Sequence, residues 1–150
     1  MPDATTVTRS FTAVACVDAS LVIRVLDAPR HPEAFAAWRR LVDQRVDLIA
    51  PSLLGHEVTN ALYQQQRAGT ISADVARDGL QRVLALPIGL HGDAALHVRA
   101  LELAGKHRLP ATYDAHYLAL AERYRVPLWT CDRRLHEAVG ERLPWVHLAS

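Results

Sequence analysis

Apolar residues along this chain fall into two rhythms. Five short runs are apolar on neighbouring positions and rich in β-prone residues: Ala13–Val17 (AVACV), Asp47–Ala50 (DLIA), Ile88–Leu90, Pro127–Thr130 (PLWT) and Trp145–Leu148. Runs apolar on both faces suit central strands of a parallel sheet. Between them the apolar positions recur every three or four residues, the spacing of a helix with one buried face. A short helix is predicted over Ala19 to Leu26. The next opens at Pro32 with an inward stripe of Phe35, Trp38, Leu41 and Val42. Ser52 is the expected cap of a long helix that turns Leu54, Val58, Ala61 and Leu62 inward and ends near Gly69. Ser72 caps a helix with Ala76, Leu80, Val83 and Leu84 inward, and Asp93 one with Leu96, Ala100, Leu103 and Ala104. Two more run from about Tyr113 to Tyr124 and over Arg133–Val139.

Strands alternating with helices predict an α/β fold whose sheet is mostly parallel, with right-handed crossovers placing helices on both faces. The 150 residues fit one domain. Residues 1–12 read as a flexible tail and 13–150 as a single domain.

Composition narrows the partners. With 17 Lys plus Arg against 16 Asp plus Glu, the formal net charge of +1 excludes a strongly basic nucleic-acid coat but not a local basic rim. Lys106 is the only lysine, so 16 of the 17 cations are arginine. Genome composition accounts for that bias as readily as phosphate binding does. Cys16 and Cys131 are too few for a disulfide framework and are expected as small buried hydrophobes in a reducing compartment. No 18-residue apolar run is present, and the seven-residue stretch Phe11 to Val17 is too short for a signal-peptide core, so a cytoplasmic protein without a membrane partner is expected.

The candidate chemistry is acidic. In open α/β sheets ligands bind beyond the carboxyl ends of the strands. Asp18 follows the first strand and Asp132 the fourth, while Glu57 and Asp114 lie in the early turns of helices that start at the same edge. Each alone has an ordinary alternative: Asp18 and Asp132 as helix caps, Asp114 at the positive end of its helix, Glu57 in solvent. Four on one edge are harder to dismiss. Two carboxylates about 5 Å apart repel by roughly 3 kcal/mol at an effective dielectric near 20. A proton or a cation would offset that, and oxygen-only ligands favour Mg²⁺ or Mn²⁺ over zinc. An ion so held suits phosphodiester hydrolysis.

At these residues the chain resembles the PIN-domain ribonucleases, and within them the VapC-type toxins of bacterial toxin–antitoxin pairs. The matching pieces are Val17-Asp18-Ala19-Ser20, Glu57 in HEVTNAL, Tyr113-Asp114-Ala115 leading into HYLALAE, and Thr130-Cys131-Asp132-Arg133-Arg134-Leu135. With the order of elements, the resemblance spans about residues 13–148. It implies a three-layer α/β/α fold with about five strands, and an acidic quartet of Asp18, Glu57, Asp114 and Asp132. That quartet would bind Mg²⁺ or Mn²⁺ and cut RNA, with Asp18 and Asp114 as the direct metal ligands. Ser20 and Thr130 match positions that support the metal site. The resemblance also implies a homodimer and a small VapB-like antitoxin. Arg133 and Arg134, next to Asp132, are candidates for RNA phosphates or for pairing with a carboxylate.

Other chemistries lack their residues. His56-Glu57 opens like the zinc signature H-E-x-x-H, but the fifth position is Asn60. The remaining histidines show no compact ligand spacing, and there is no G-x-G-x-x-G, P-loop or G-x-S-x-G. Two alternatives remain. A receiver-like phosphoacceptor domain would want an acidic pair after the first strand and a lysine after the last, whereas residue 19 is alanine. An inactive PIN-like interaction module is the other.

Overall fold

The computed structural model describes residues 12–149, so the expected tail lies, but for Thr12, outside the described residues. In chain order the elements are β1 (Val14–Val17), α1 (Ala19–Leu26), α2 (Pro32–Asp43), β2 (Asp47–Pro51), α3 (Leu53–Arg67), α4 (Ala73–Leu84), β3 (Ile88–His91), α5 (Ala94–His107), α6 (Tyr113–Tyr124), β4 (Leu128–Thr130), α7 (Arg133–Val139) and β5 (Val146–Leu148). The strand boundaries differ from the sequence reading by one residue at most.

All five strands are parallel, in the order β3-β2-β1-β4-β5. The chain winds outward from β1 through β2 to β3, then crosses back to lay β4 on the other side of β1. The reversal makes the β1–β4 seam the switch point where α/β sheets bind ligands. A receiver-like sheet would instead run 2-1-3-4-5, so that alternative is not the fold adopted.

Right-handed crossovers put α1–α4 on one face and α5 and α6 on the other. Consistent with this, α1 packs on α2 and α3, α3 on α4, and α5 on α6. Helix α6 runs beneath β1, β2 and β4. Its Ala115 and the whole run Tyr117–Ala121 are buried, and the alanines let the helix lie close against the sheet. Leu118, Leu120 and Leu128 are among the side chains removed entirely from solvent. Among the described residues no helix is long and apolar enough to cross a membrane.

Three local expectations need correction. The inward face of α2 is Ala34, Ala37, Trp38 and Leu41, while Phe35 and Val42 are exposed. Ala34 and Ala37 stand beside Trp38 and Leu41 where Phe35 and Val42 were expected, so the stripe is rotated by about one residue. Leu84, at the end of α4, is also exposed. Ser52 precedes α3 but makes no capping bond; its backbone is already helical (φ −58°, ψ −20°), whereas a capping side chain needs an extended backbone. Its hydroxyl lies against Gly92, where any Cβ would collide with it. The expected caps Ser72 and Asp93 do form, accepting from the N–H groups of Val75 and Leu96.

Candidate active site

Asp18 follows β1 directly and its backbone is extended, which lets its side chain cap α1 through the N–H of Leu21 at 3.1 Å. The same oxygen, Oδ1, accepts the Ser20 hydroxyl at 2.6 Å, and Oδ2 accepts the hydroxyl of Thr130 at the end of β4. A hydroxyl has one proton to give and lone pairs to receive with. Having given theirs to Asp18, Ser20 Oγ accepts the N–H of Cys131 at 2.8 Å and Thr130 Oγ1 that of Asp132 at 2.9 Å. The two hydroxyls therefore tie the loop after β4 to the carboxylate after β1. Asp132 in turn caps α7, its Oδ1 accepting the N–H groups of Arg134 (2.9 Å) and Leu135 (3.2 Å).

The other two carboxylates ride on helices. Glu57 lies in the second turn of α3, half-buried, and its Oε1 accepts the hydroxyl of Tyr117 on α6 at 2.7 Å. Asp114 lies in the first turn of α6, also half-buried. Among the described residues its side chain accepts no hydrogen bond.

The electrostatics join the four around Asp114. Burial pushes the Asp18 carboxyl up to about 6 against the pull of its hydrogen bonds, and the charge of Asp114 adds to the rise. Glu57 is raised by burial and then by Asp114; Asp114 is raised by burial and then by Asp132. Burial and the neighbouring Glu57 charge hold the Tyr117 phenol protonated far above its ordinary range. The quartet is thus a coupled set of like charges. It is not a closed cage: among the described residues no three His, Cys, Asp or Glu side chains are arranged to hold a metal ion. Its donors are all oxygens, the chemistry that hard divalent cations prefer.

Arg133 and Arg134 are exposed at the start of α7, and neither forms an ion pair among the described residues. Cys16 and Cys131 are free and buried, as their apolar surroundings in the sequence suggested; burial raises both thiols, Cys131 to about 11. Tyr117 escaped the sequence reading, although it stands three residues after Asp114, a spacing that shares a helix face. The fold also brings together histidines that no sequence spacing linked. His97 Nδ1 and His116 Nε2 are 2.9 Å apart, and with His56, His91 and Tyr113 they line a cavity of ≈ 290 Å³ beside the acidic residues' helices. A roomier one of ≈ 470 Å³ runs along α3 to Leu84 and includes none of the four carboxylates.

Comparison with known proteins accords with the fold. The PIN domain profile matches residues 15–141. Ribonuclease VapC3 of Pyrobaculum aerophilum is 35% identical over 123 residues, 81% of this chain and 91% of that protein. Ribonuclease VapC3 of Mycobacterium tuberculosis is 33% identical over 122 residues, 81% and 85% of the two chains. The crystal structure of PAE2754 from Pyrobaculum aerophilum superposes with a TM-score of 0.64 at 26% identity, covering 85% of this chain and 86% of that one. With the sheet order and the sequence in agreement, the chain belongs to the PIN-domain family and is a relative of the VapC-type toxins of VapBC toxin–antitoxin systems.

Proposed function

We propose that this protein is a metal-dependent endoribonuclease that acts as the toxin of a type II toxin–antitoxin pair. One observation carries the reading: Asp18 after β1 and Asp132 after β4 flank the switch point of the sheet, with Glu57 and Asp114 half-buried in the early turns of α3 and α6, and burial, with the charge of Asp114 adding to it, raises the carboxyls of Asp18 and Glu57. A set of carboxylates that repel one another in a half-buried place favours a divalent cation, and the all-oxygen donor set fits Mg²⁺ or Mn²⁺. When bound, such an ion lowers the pKa of water and neutralises charge on a phosphate.

The chain's own residues prepare that place. Asp18 and Asp114 serve as the direct ligands, and Glu57 and Asp132 complete the set. Ser20 and Thr130 hold Asp18 by both oxygens, so it meets a cation without first reorganising. Asp114, free of hydrogen bonds among the described residues, is available to adjust. Arg133 and Arg134, exposed beside Asp132, are placed to contact RNA phosphates, for which the guanidinium fork is suited. Relatives named as ribonucleases support RNA as the substrate.

A ribonuclease of this kind, working in the cytoplasm, needs restraint. We assign that role to a small VapB-like antitoxin, with an arginine or lysine that pairs with the carboxylates, and we expect a homodimer as the working form. The deciding experiment is RNA cleavage by wild type and Asp114→Asn, with and without Mn²⁺. Cleavage that needs both the metal and Asp114 supports the proposal; wild type that cuts no RNA with Mn²⁺ present overturns it. In cells, expression of the chain alone should arrest growth, and the neighbouring small open reading frame should rescue it.

A further inference from the structure

Glu57 is held differently from the other anchored carboxylates. Asp18 and Asp132 cap the helices they begin, so each has a local backbone donor, Asp18 in addition to the distant Thr130 hydroxyl. Glu57 is a long side chain in the second turn of α3, and the bond that holds it comes from 60 residues away, at Tyr117. The ring of Tyr117 is 1% exposed and fixed in the core under the sheet. A tyrosine has only two side-chain torsions, so the buried ring aims its hydroxyl with little freedom. We infer that Tyr117 is a positioning residue: its phenol engages Glu57 Oε1 and leaves Oε2 as the oxygen presented to the metal site. This rests on the reading of the quartet as a metal-dependent nuclease site.

The choice of donor is informative. An arginine, lysine or protonated histidine would also hold a carboxylate, but its positive charge would cancel the one a cation needs. A phenol donates a hydrogen bond and stays neutral. A tyrosine phenol ordinarily ionises only near about pH 10, so it is a neutral donor at neutral pH. Packing alone does not call for the hydroxyl, since a phenylalanine would fill the same space. Ser20 and Thr130 play the corresponding part at Asp18: there too the holders are neutral hydroxyls.

The test measures Mn²⁺ binding to the full chain by titration calorimetry, beside Mn²⁺-dependent RNA cleavage. Tyr117→Phe removes one oxygen and keeps the ring. It should weaken Mn²⁺ binding by about 10-fold or more, within the range for partners that orient metal ligands, and lower kcat while leaving KM for RNA nearly unchanged. In a Glu57→Gln background the same substitution should have little further effect, because Tyr117 acts through Glu57. Glu57→Asp is the second arm: it keeps the charge but draws it back by one methylene, and should lose Mn²⁺ affinity although the core is untouched. Tyr117→Phe that binds Mn²⁺ like wild type, an equal effect of Tyr117→Phe with Glu57 already replaced, or wild-type affinity in Glu57→Asp each overturns the inference while leaving the nuclease reading intact. Wild type that neither binds Mn²⁺ nor cuts RNA overturns both. Wild type that binds Mn²⁺ without cutting RNA overturns the nuclease reading alone, and the binding arms still decide the role of Tyr117.

Discussion

Asp18 and Asp114 share one edge of the sheet and one proposed task, yet they are held in opposite ways. Asp18 is 4% exposed, and both its oxygens are occupied by Leu21 N–H, Ser20 and Thr130. Asp114 is half-buried on the first turn of a helix whose middle, Tyr117–Ala121, lies in the core, and among the described residues its carboxylate has no such partners. The difference separates two requirements of a site built from like charges. One member is fixed, so that the geometry exists before any cation arrives. Another is left uncommitted, so that the set can respond. Burial raises both Asp18 and Glu57, and the charge of the uncommitted Asp114 adds to the rise at each.

The largest effect is expected from Asp114→Asn. Partners that merely orient metal ligands contribute about 10–100-fold, so loss of a direct ligand should cost more than about 100-fold in cleavage, with melting temperature unchanged or higher. A variant that melts like wild type and cuts at the same rate would remove Asp114 from the site. Thr130→Val probes the fixed side. It strips Asp18 Oδ2 and the Asp132 N–H of a partner in a fully buried place. We expect a loss of about 1–3 kcal/mol in stability and about 10–100-fold in cleavage. Unchanged denaturation would show that the hydroxyl does not hold the two loops together.

The pH dependence tests the same contrast with a smaller effect. The Asp18 carboxyl rises from an ordinary 3.8 to about 6 on folding. Between those values the folded chain binds more protons than the unfolded one, so stability falls as pH rises through the window and levels off above it. Two units correspond to about 3 kcal/mol at most. Asp18→Asn removes this dependence. In chelator, the stability of the variant relative to wild type should therefore increase by about 1–3 kcal/mol from pH 4 to pH 7, less whatever the new amide loses against Thr130. A difference that stays constant with pH would show that burial does not strain Asp18. The smallest effect is expected at His107, which is as buried as Asp18 but, among the described residues, has no partner on either ring nitrogen. His107→Leu should stabilise the protein by about 1 kcal/mol, since an unsatisfied buried polar group is replaced by an apolar one. Destabilisation in urea would reveal a partner that the fold conceals.

What the sequence discloses follows the reach of the interactions. The caps at Asp18, Asp93 and Asp132 are local: an acidic residue before a helical run bonds to N–H groups two or three positions on, and all three form. The alternation of strands and helices is local as well, and the α/β class follows from it. The α2 stripe is legible in period but not in phase, because whether Phe35 or Ala34 faces inward depends on how closely α1 and the sheet approach. The partnership of Tyr117 with Glu57 is not legible at all without knowing that α3 and α6 meet. Likewise His97 and His116 lie on separate helices, and only the packing of α5 on α6 brings their rings together.

The β1–β4 seam has a consequence for the life of the chain during synthesis. Asp18 emerges from the ribosome early, and Thr130, which completes its cradle, follows 112 residues later. The central strand β1 waits just as long for its second neighbour. A nascent or truncated chain that stops before β4 therefore carries three of the four acids without the seam that assembles them. By this arrangement the surroundings of Asp18 are complete only once β4 has joined β1, and a chain cut before Leu128 should lack them.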